Sequence, residues 1–537
     1  MDHIFGTFAT DELKVVHHRA SRRGIQHMGM ISPLDPKPGE AVEIRVRVGS
    51  DTSIDQIVCY YTVDGSIPVG NRGAVVNGAA IRLEHAGVEW DSITWGYVAW
   101  WHGVIPAQSD NTTVRYVISG WAEAEPEVFA DYPNVQRTAE QAAGAFFKGE
   151  EPPTEPPGDP LAATVFSYRV DTLTLPDWVP TSIWYHIFVD RFYPGDGKSW
   201  IQTDDLNGIV GGTLWGVCDK LDYLCDLGIN AIWLSPIWIA PSHHGYDVID
   251  YMQIEPRYGG TEALKALVDA AHARGIRVVL DLVCNHISHL NPMFAEALHD
   301  RNSRYRSWFT FDDSELGYRS FFGVKDMPQV NLDNPEARAW MIDIARHWIR
   351  ECGVDGYRLD YANGPSLDFW TDFRAAVHAE KPDVFLFGEI VDSPGTLRSY
   401  VGHLDGCLDF YASETLRKAY GWKAITAADA DRMLKMHNAH FPPDFCLPTF
   451  IDNHDMDRFL VIAQGDKDAL RRVAIAQMRQ PAPPVIFYGT EVGLSQRKPV
   501  HGNGLHMSRE PMLWGDEQDQ ELLSEYKRLI AERKELR

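Results

Sequence analysis

The first quarter of the chain alternates apolar and polar residues, and the remainder repeats a strand-then-helix pattern. Between Ala41 and Gly49, Val42, Ile44, Val46 and Val48 alternate with Glu43, Arg45 and Arg47, which predicts a strand with one buried face. Gln56 to Val63 and Val114 to Gly120 continue the pattern, with Asp64-Gly65 as a turn. Together these predict a β-sandwich over residues 31–147, near the roughly 100 residues usual for that architecture. Residues 1–30 have little periodicity and read as a loose N-terminal arm. The acidic, proline-rich stretch from Lys148 to Pro160 reads as an extended connection, and the linker is expected to span 148–177.

From residue 178 the texture changes. Ile183–Phe192, Asn230–Ile237, Ile276–Val283, Gly356–Asp360, Val384–Gly388, Cys446–Ile451 and Pro484–Tyr488 read as strands, with Gly402–Tyr411 a weaker one. Helical patterns separate them. Thr261 can cap a helix with the stripe Leu264, Leu267, Val268 and Ala271, and Gly275 ends it. This repetition predicts the α/β class, a (β/α)8 TIM barrel over residues 178–537. Residues 287–334 interrupt the alternation with an aromatic-rich insertion after the third strand. The last helical face is Leu522, Leu523, Tyr526, Leu529 and Ile530, and no C-terminal β-domain is evident after it.

Composition narrows the classes. A net charge of −25 argues against nucleic acid and anionic membranes as partners. The seven cysteines are scattered without a Cys-x-x-Cys pair, so neither a disulfide framework nor a zinc site is indicated. No basic-then-apolar leader follows Met1, and a cytoplasmic protein is expected. The sandwich is rich in aromatics: Trp90, Trp95, Tyr97, Trp100, Trp101 and Trp121. Core and interface packing is the plainer explanation for them, and a sugar-stacking platform the functional one.

In such a barrel the chemistry sits at the C-terminal ends of the strands. Those ends carry Tyr246-Asp247, Asp281 with Asn285-His286, Arg358 and Asp360, Glu389, and His454-Asp455. Arg358 and Asp360 share one face because strand side chains alternate with period two. Arg458, three residues beyond Asp455, could supply that acid with a local ion pair, whereas Glu389 has no basic neighbour in the chain. Two acids on adjacent strand ends, with a third acid and histidines opposite, suit cleavage of a glycosidic bond: one carboxylate attacks, and a protonated one serves the leaving oxygen. A metal-dependent hydrolase is the competitor, although the first strand lacks His-x-His, offering only His186.

Asp281-Leu-Val-Cys-Asn-His286, Gly356-Tyr-Arg-Leu-Asp360, Gly388-Glu389-Ile390 and Phe450-Ile-Asp-Asn-His-Asp455 resemble, in order, four signature regions of the α-amylase family of glycoside hydrolases. Gly228–Ile237 and Pro484–Glu491 resemble its second- and eighth-strand regions. Met327-Pro-Gln-Val-Asn331, Asp360-Tyr-Ala-Asn363 and the N-terminal β-domain are similar to the neopullulanase, cyclomaltodextrinase and maltogenic amylase branch. The resemblance implies a retaining hydrolase of α-1,4-glucosidic bonds in starch, maltodextrin or cyclodextrin, with transglycosylation as a side activity. It implies Asp360 as nucleophile, Glu389 as general acid/base and Asp455 as transition-state stabiliser. Tyr246, His286, Arg358 and His454 are implied to bind substrate, Tyr246 by stacking and Arg358 while holding Asp360; Asp281 is implied to be structural. A transferase or isomerase of the trehalose-synthase or sucrose-acting kind, or a non-catalytic binding relative, shares these regions. No cofactor is implied as required. A calcium site is left open, because Asn363-Gly364 stands where other α-amylases carry Lys-His. Gly364 also replaces the acid that the branch usually has there. The partner is expected to be an α-glucan, and a homodimer is left open.

Overall fold

A computed structural model describes residues 11–130, 145 and 163–536; the expected linker stretch 148–160 lies outside them. The alternation at residues 41–49 becomes the strand Val42–Val48, with its four apolar side chains buried. It pairs antiparallel with Gly96–Ile105, which pairs in turn with the long strand Ala79–Asp91. The first half of that long strand pairs instead with Gln56–Thr62, which pairs with Thr112–Trp121. A register shift between His85 and Gly87 marks the change of partner, where the extra residue lets the strand bend. Val42, Ile44 and Val46 therefore face Ile57, Cys59, Val114 and Ile118 across one apolar core.

Two boundaries differ from the sequence reading. Residues 11–30 are not a loose arm: Asp11–Ala20 is a helix, and Ile25–Gln26 pairs with Arg47 and Val48. Asp91 Oδ2 ties this segment down, accepting from Arg22 Nε at 3.0 Å and lying 2.6 Å from His18 Nε2. These are contacts across 69 and 73 residues, which local periodicity does not carry. Nor does the linker extend to 177, because Phe166–Val170 adds a strand beside Thr112–Tyr116. Of the six sandwich aromatics only Trp121 is buried; Trp90, Trp95 and Tyr97 stand exposed.

Eight parallel strands form the second sheet, in the spatial order six, five, four, three, two, one, eight, seven. In chain order they are Trp184–Ile187, Ala231–Leu234, Arg277–Val283, Gly356–Asp360, Phe385–Gly388, Gly406–Cys407, Thr449–Phe450 and Pro484–Phe487. Strands six and seven close the barrel through Gly406 and Cys446, with Cys407 N–H donating to Cys446 O at 3.0 Å. Alternate residues fill the lumen (Trp184, Trp233, Val279, Phe385, Phe387), and the others face the helices. The (β/α)8 expectation holds, with the sandwich in front of it. The strand read at Ile183–Phe192 ends early, and Val189–Phe192 is a helical turn. The helix Gly260–His272 starts from Gly259 in the left-handed region, so Thr261 lies inside it and does not cap it.

Charged side chains fasten the sandwich to the barrel. Arg115 donates to Asp368 at 2.9 Å and Asp372 at 2.5 Å, and Arg338 shares both acids. Deeper in the barrel, the Asp405 carboxylate takes bonds from Leu386 N–H and Arg374 Nε at 2.9 Å each, with His378 Nε2 also 2.9 Å away. Burial would raise Asp405, but His378 and Arg374 outweigh it and pull the carboxyl down to about 2. A depressed carboxyl contributes stability that is present above the unfolded-state value near 3.9 and lost as pH falls towards 2. Wild-type protein is therefore expected to lose about 2 kcal/mol from this group between about pH 4.5 and 2. Asp405→Asn should be less stable at pH 7 and flatter across that window, as followed by thermal melts.

Candidate active site

The site is assembled at the C-terminal ends of strands three, four, five and seven. Register fixes its first pair: Asp281 on strand three sits directly beside Arg358 on strand four. Arg358 Nη1 donates to both Asp281 oxygens, at 2.8 and 3.0 Å, and to Asp360 Oδ1 at 2.9 Å. Its Nη2 lies 2.8 Å from Glu389 Oε1. One guanidinium thus touches three carboxylates from three strands, which a planar fork of donors allows and a point charge does not. Glu389 follows strand five directly. Its backbone continues the ladder, donating to Leu359 O and accepting from Ala362 N–H, both at 2.9 Å. Its Oε2 accepts from Tyr361 N–H at 3.1 Å.

Asp455 sits opposite, in the loop after strand seven. Its cation is not Arg458, which is buried and donates from Nε to Ser508 O and from Nη1 to Tyr488 O. Arg509, from the loop after strand eight, donates to Asp455 Oδ1 at 2.9 Å and to His454 O at 2.9 Å. His454 Nε2 is 2.9 Å from Asp455 Oδ2 and 2.7 Å from the Tyr246 hydroxyl, which donates to Asp281 at 2.9 Å. The Tyr246 and His454 rings lie parallel, 5.2 Å apart.

Asp360, Glu389 and Asp455 all line one cavity of about 250 Å³, together with Tyr246, His286 and Phe321. His286 brings an unpaired Nε2 to that wall. Burial pushes the His286 imidazole down to about 3, so it faces the cavity neutral. Arg358 and His454 differ from expectation: both are completely enclosed, and neither forms part of the cavity wall. They reach the cavity through the carboxylates they hold.

Electrostatics separates the three acids. Burial raises Glu389 and Asp360; Arg358 pulls both down, while neighbouring carboxylates push them up again. The pair therefore holds a proton more readily than ordinary carboxyls do. Asp455 goes the other way. Burial would raise it, but His454, Arg509 and Arg358 hold it well below the usual range. The cavity thus brings together two carboxyls that hold a proton readily and a third held as the anion.

In the insertion, Trp308, Phe309 and Tyr318 are buried, Phe309 and Tyr318 against Phe294 and Trp308 against Tyr305 and, from the following helix, Trp340, while Phe321 and Met327 reach the cavity. Phe321 stacks on His286, with ring centroids 4.7 Å apart. At Gly364 a Cβ would fall 1.9 Å from Asn285 Oδ1, which already accepts from Gln329 Nε2 at 2.7 Å. The acid that the branch carries there has no room unless Asn285 moves. Among the described residues, no group of three or more His, Cys, Asp or Glu side chains is placed to hold a metal ion. Sequence reasoning missed Arg509, His243, His244 and His506, which also line the cavity. Arg509 and His506 come from a loop after strand eight that has no periodic signal. His243 and His244 lie just ahead of Tyr246, where the strand-end reading began.

A parallel barrel with acids at adjacent strand ends is an arrangement able to cleave a glycosidic bond. A family profile described as "Alpha amylase, catalytic domain" matches residues 186–535, and the chain belongs to the α-amylase family. Alpha-amylase 2 of Dictyoglomus thermophilum is 43% identical over 369 residues, 68% of this chain and 65% of that protein. The intracellular maltogenic amylase of Bacillus subtilis strain 168 is 38% identical over 389 residues, covering 69% and 64% respectively. The chain thus spans a little under two thirds of the length of these curated relatives. Among solved structures, a cyclomaltodextrinase aligns over 95% of this chain and 84% of its own, with a TM-score of 0.63 and 26% identity. The cyclic α-maltosyl-(1→6)-maltose hydrolase of Arthrobacter globiformis, ligand-free, aligns over 67% and 84%, with a TM-score of 0.62 and 30% identity.

Proposed function

We propose that this chain is a retaining α-glucan hydrolase that cleaves α-1,4-glucosidic bonds of maltodextrin, starch or cyclodextrin by double displacement. The observation that carries the reading is Arg358 bridging Asp360 and Glu389 while Asp455 faces them across the same cavity. Two carboxylates on one guanidinium favour the short separation of about 5–5.5 Å that retention requires. Glu389, raised by burial, gives its proton to the leaving oxygen as Asp360 attacks the anomeric carbon. Water then enters, Glu389 takes its proton, and the Asp360–sugar bond breaks. A sugar hydroxyl in place of that water gives transglycosylation. Asp455 remains ionised and stabilises the positive charge that develops on the sugar ring.

Tyr246, His286 and Phe321 bind the sugar in this reading, by ring contact and by the open His286 nitrogen. Arg358 and His454 position the acids. The maltogenic amylase and cyclomaltodextrinase names of the relatives support an α-glucan substrate. A cytoplasmic setting is part of the proposal, supported by a relative named intracellular. Among the described residues no helix is long and apolar enough to cross a membrane. The exposed Trp90, Trp95 and Tyr97 suit a homodimer contact, which Trp95→Ser should weaken in sedimentation equilibrium.

Incubation with maltoheptaose, β-cyclodextrin, pullulan and sucrose tests the reading. Shorter maltooligosaccharides from the first two are expected, with sucrose untouched; fructose from sucrose, or no product from any glucan, would overturn it. We propose that no cofactor is required, so dialysis against EDTA should leave the rate on maltoheptaose unchanged. Phe321→Ala is expected to raise KM for long glucans several-fold with a smaller change in kcat, the pattern of lost uniform binding. Equal losses on short and long substrates, with a lower Tm, would instead make Phe321 a packing residue.

A further inference from the structure

A second cavity, of about 500 Å³, opens beside the catalytic one. Both are walled by the loops after strands one and eight. Asn207 and Arg509 line the catalytic cavity, whereas Thr203 and Glu510 from the same loops line the second. Its floor is apolar, made by Val210, Leu494 and Met512. Around that floor stand Trp200, Gln202, Arg497 and Glu510.

Glu510 is almost fully buried, and its Oε1 accepts from Arg497 N–H at 3.2 Å and pairs with Arg497 Nε at 3.1 Å. Among the described residues, Glu510 Oε2, the Trp200 indole N–H and the Gln202 amide have no hydrogen-bond partner. The open groups are thus an acceptor, a donor and an amide that is both. They surround an apolar floor beside a half-buried indole. Arg497 is neutralised by Glu510, and Glu517 adds another negative charge to the wall, so an anionic ligand is disfavoured. A neutral polyhydroxylated ring, which needs a flat apolar contact and dispersed donors and acceptors, fits every one of these features. The volume lies within the range of about 300–1,000 Å³ that holds small ligands, and it suits a short saccharide.

We propose that this cavity is an accessory saccharide site for a short maltooligosaccharide, separate from the catalytic cavity and sharing its walls. The choice of saccharide rests on the α-glucan reading of the catalytic site. Bound at the second cavity, one glucose unit would stack on the Trp200 ring face while a neighbouring unit accepts the in-plane indole N–H, and a sugar hydroxyl would donate to Glu510 Oε2. Neither Trp200 nor Glu510 takes part in the proposed hydrolysis.

The test is calorimetric titration of maltotriose into the full-length Asp360→Asn chain, which cannot consume its ligand. Two sites per chain are expected, falling to one when Trp200→Ala is added, with affinity at the remaining site unchanged. Gln202→Ala, at an exposed position, is expected to weaken the second site alone by about tenfold and guards against a misfolded Trp200 variant. A stoichiometry of one, unchanged by either substitution, would overturn the accessory site. Wild-type turnover of maltoheptaose is scored separately, so that its absence counts against the hydrolase reading and not against the stoichiometry.

Discussion

Asp360→Asn is expected to lower kcat on maltoheptaose by on the order of 10⁴-fold or more, with Tm nearly unchanged. An amide of the same shape can still accept from Arg358 Nη1, so the packing around a residue that is only slightly exposed is preserved. In the proposed mechanism the change removes the negative charge that forms the bond to the anomeric carbon. It also removes a buried carboxylate whose ionised form burial, Glu389, Asp281 and Asp455 disfavour, so the fold has no reason to weaken. A variant that kept more than about a hundredth of wild-type turnover would show that another group attacks.

Arg358→Met is the second large effect, and it differs in kind. The guanidinium is fully enclosed and is shared by Asp281, Asp360 and Glu389. Removing it leaves buried carboxylates without their cation, a loss of about 3–5 kcal/mol in comparable buried pairs. Arg358 pulls the carboxyls down, so without it they rise further. A carboxyl whose folded value lies above its unfolded value contributes stability that is full at low pH and is lost as pH rises through the folded value. The variant should therefore be closest to wild type near pH 4 and fall away towards pH 8, where Tm is measured for both. The acid limb of its pH–rate profile should move to higher pH, because Asp360 must still ionise to attack. A uniform drop in Tm at all pH values would mean that Arg358 contributes packing alone. Arg358→Lys should recover part of the stability and little of the rate, since one ammonium cannot span three carboxylates.

Much of this site is legible in the sequence because a barrel converts position along a strand into position in space. Period two places Arg358 and Asp360 on one face, and the strand-end rule adds Asp281, Glu389 and Asp455. What carries no local signal is the partner that comes from elsewhere. Arg509 reaches Asp455 across 54 residues, and nearby Arg458, which looked suitable, is turned to the backbone of the eighth strand's loop. Glu389 has no basic neighbour in sequence, yet it shares its cation with strand four. Strands six and seven are two residues each, too short for a period to show. At the N-terminus, the helix Asp11–Ala20 and its attachment to Asp91 depend on contacts of 69 and 73 residues. Phe166–Val170 follows the proline-rich stretch and reads as its continuation, although its ladder partner Thr112–Tyr116 overlaps the strand pattern that begins at Val114.

The anomeric configuration of the first product tests the account most directly. Proton NMR during the first minutes of maltoheptaose hydrolysis, before mutarotation, distinguishes the two outcomes. Two carboxylates sharing Arg358 predict that the new reducing end appears first as the α-anomer, through a covalent intermediate on Asp360. Initial release of the β-anomer would contradict it, because inversion needs carboxyls about 6.5–9.5 Å apart with water between them.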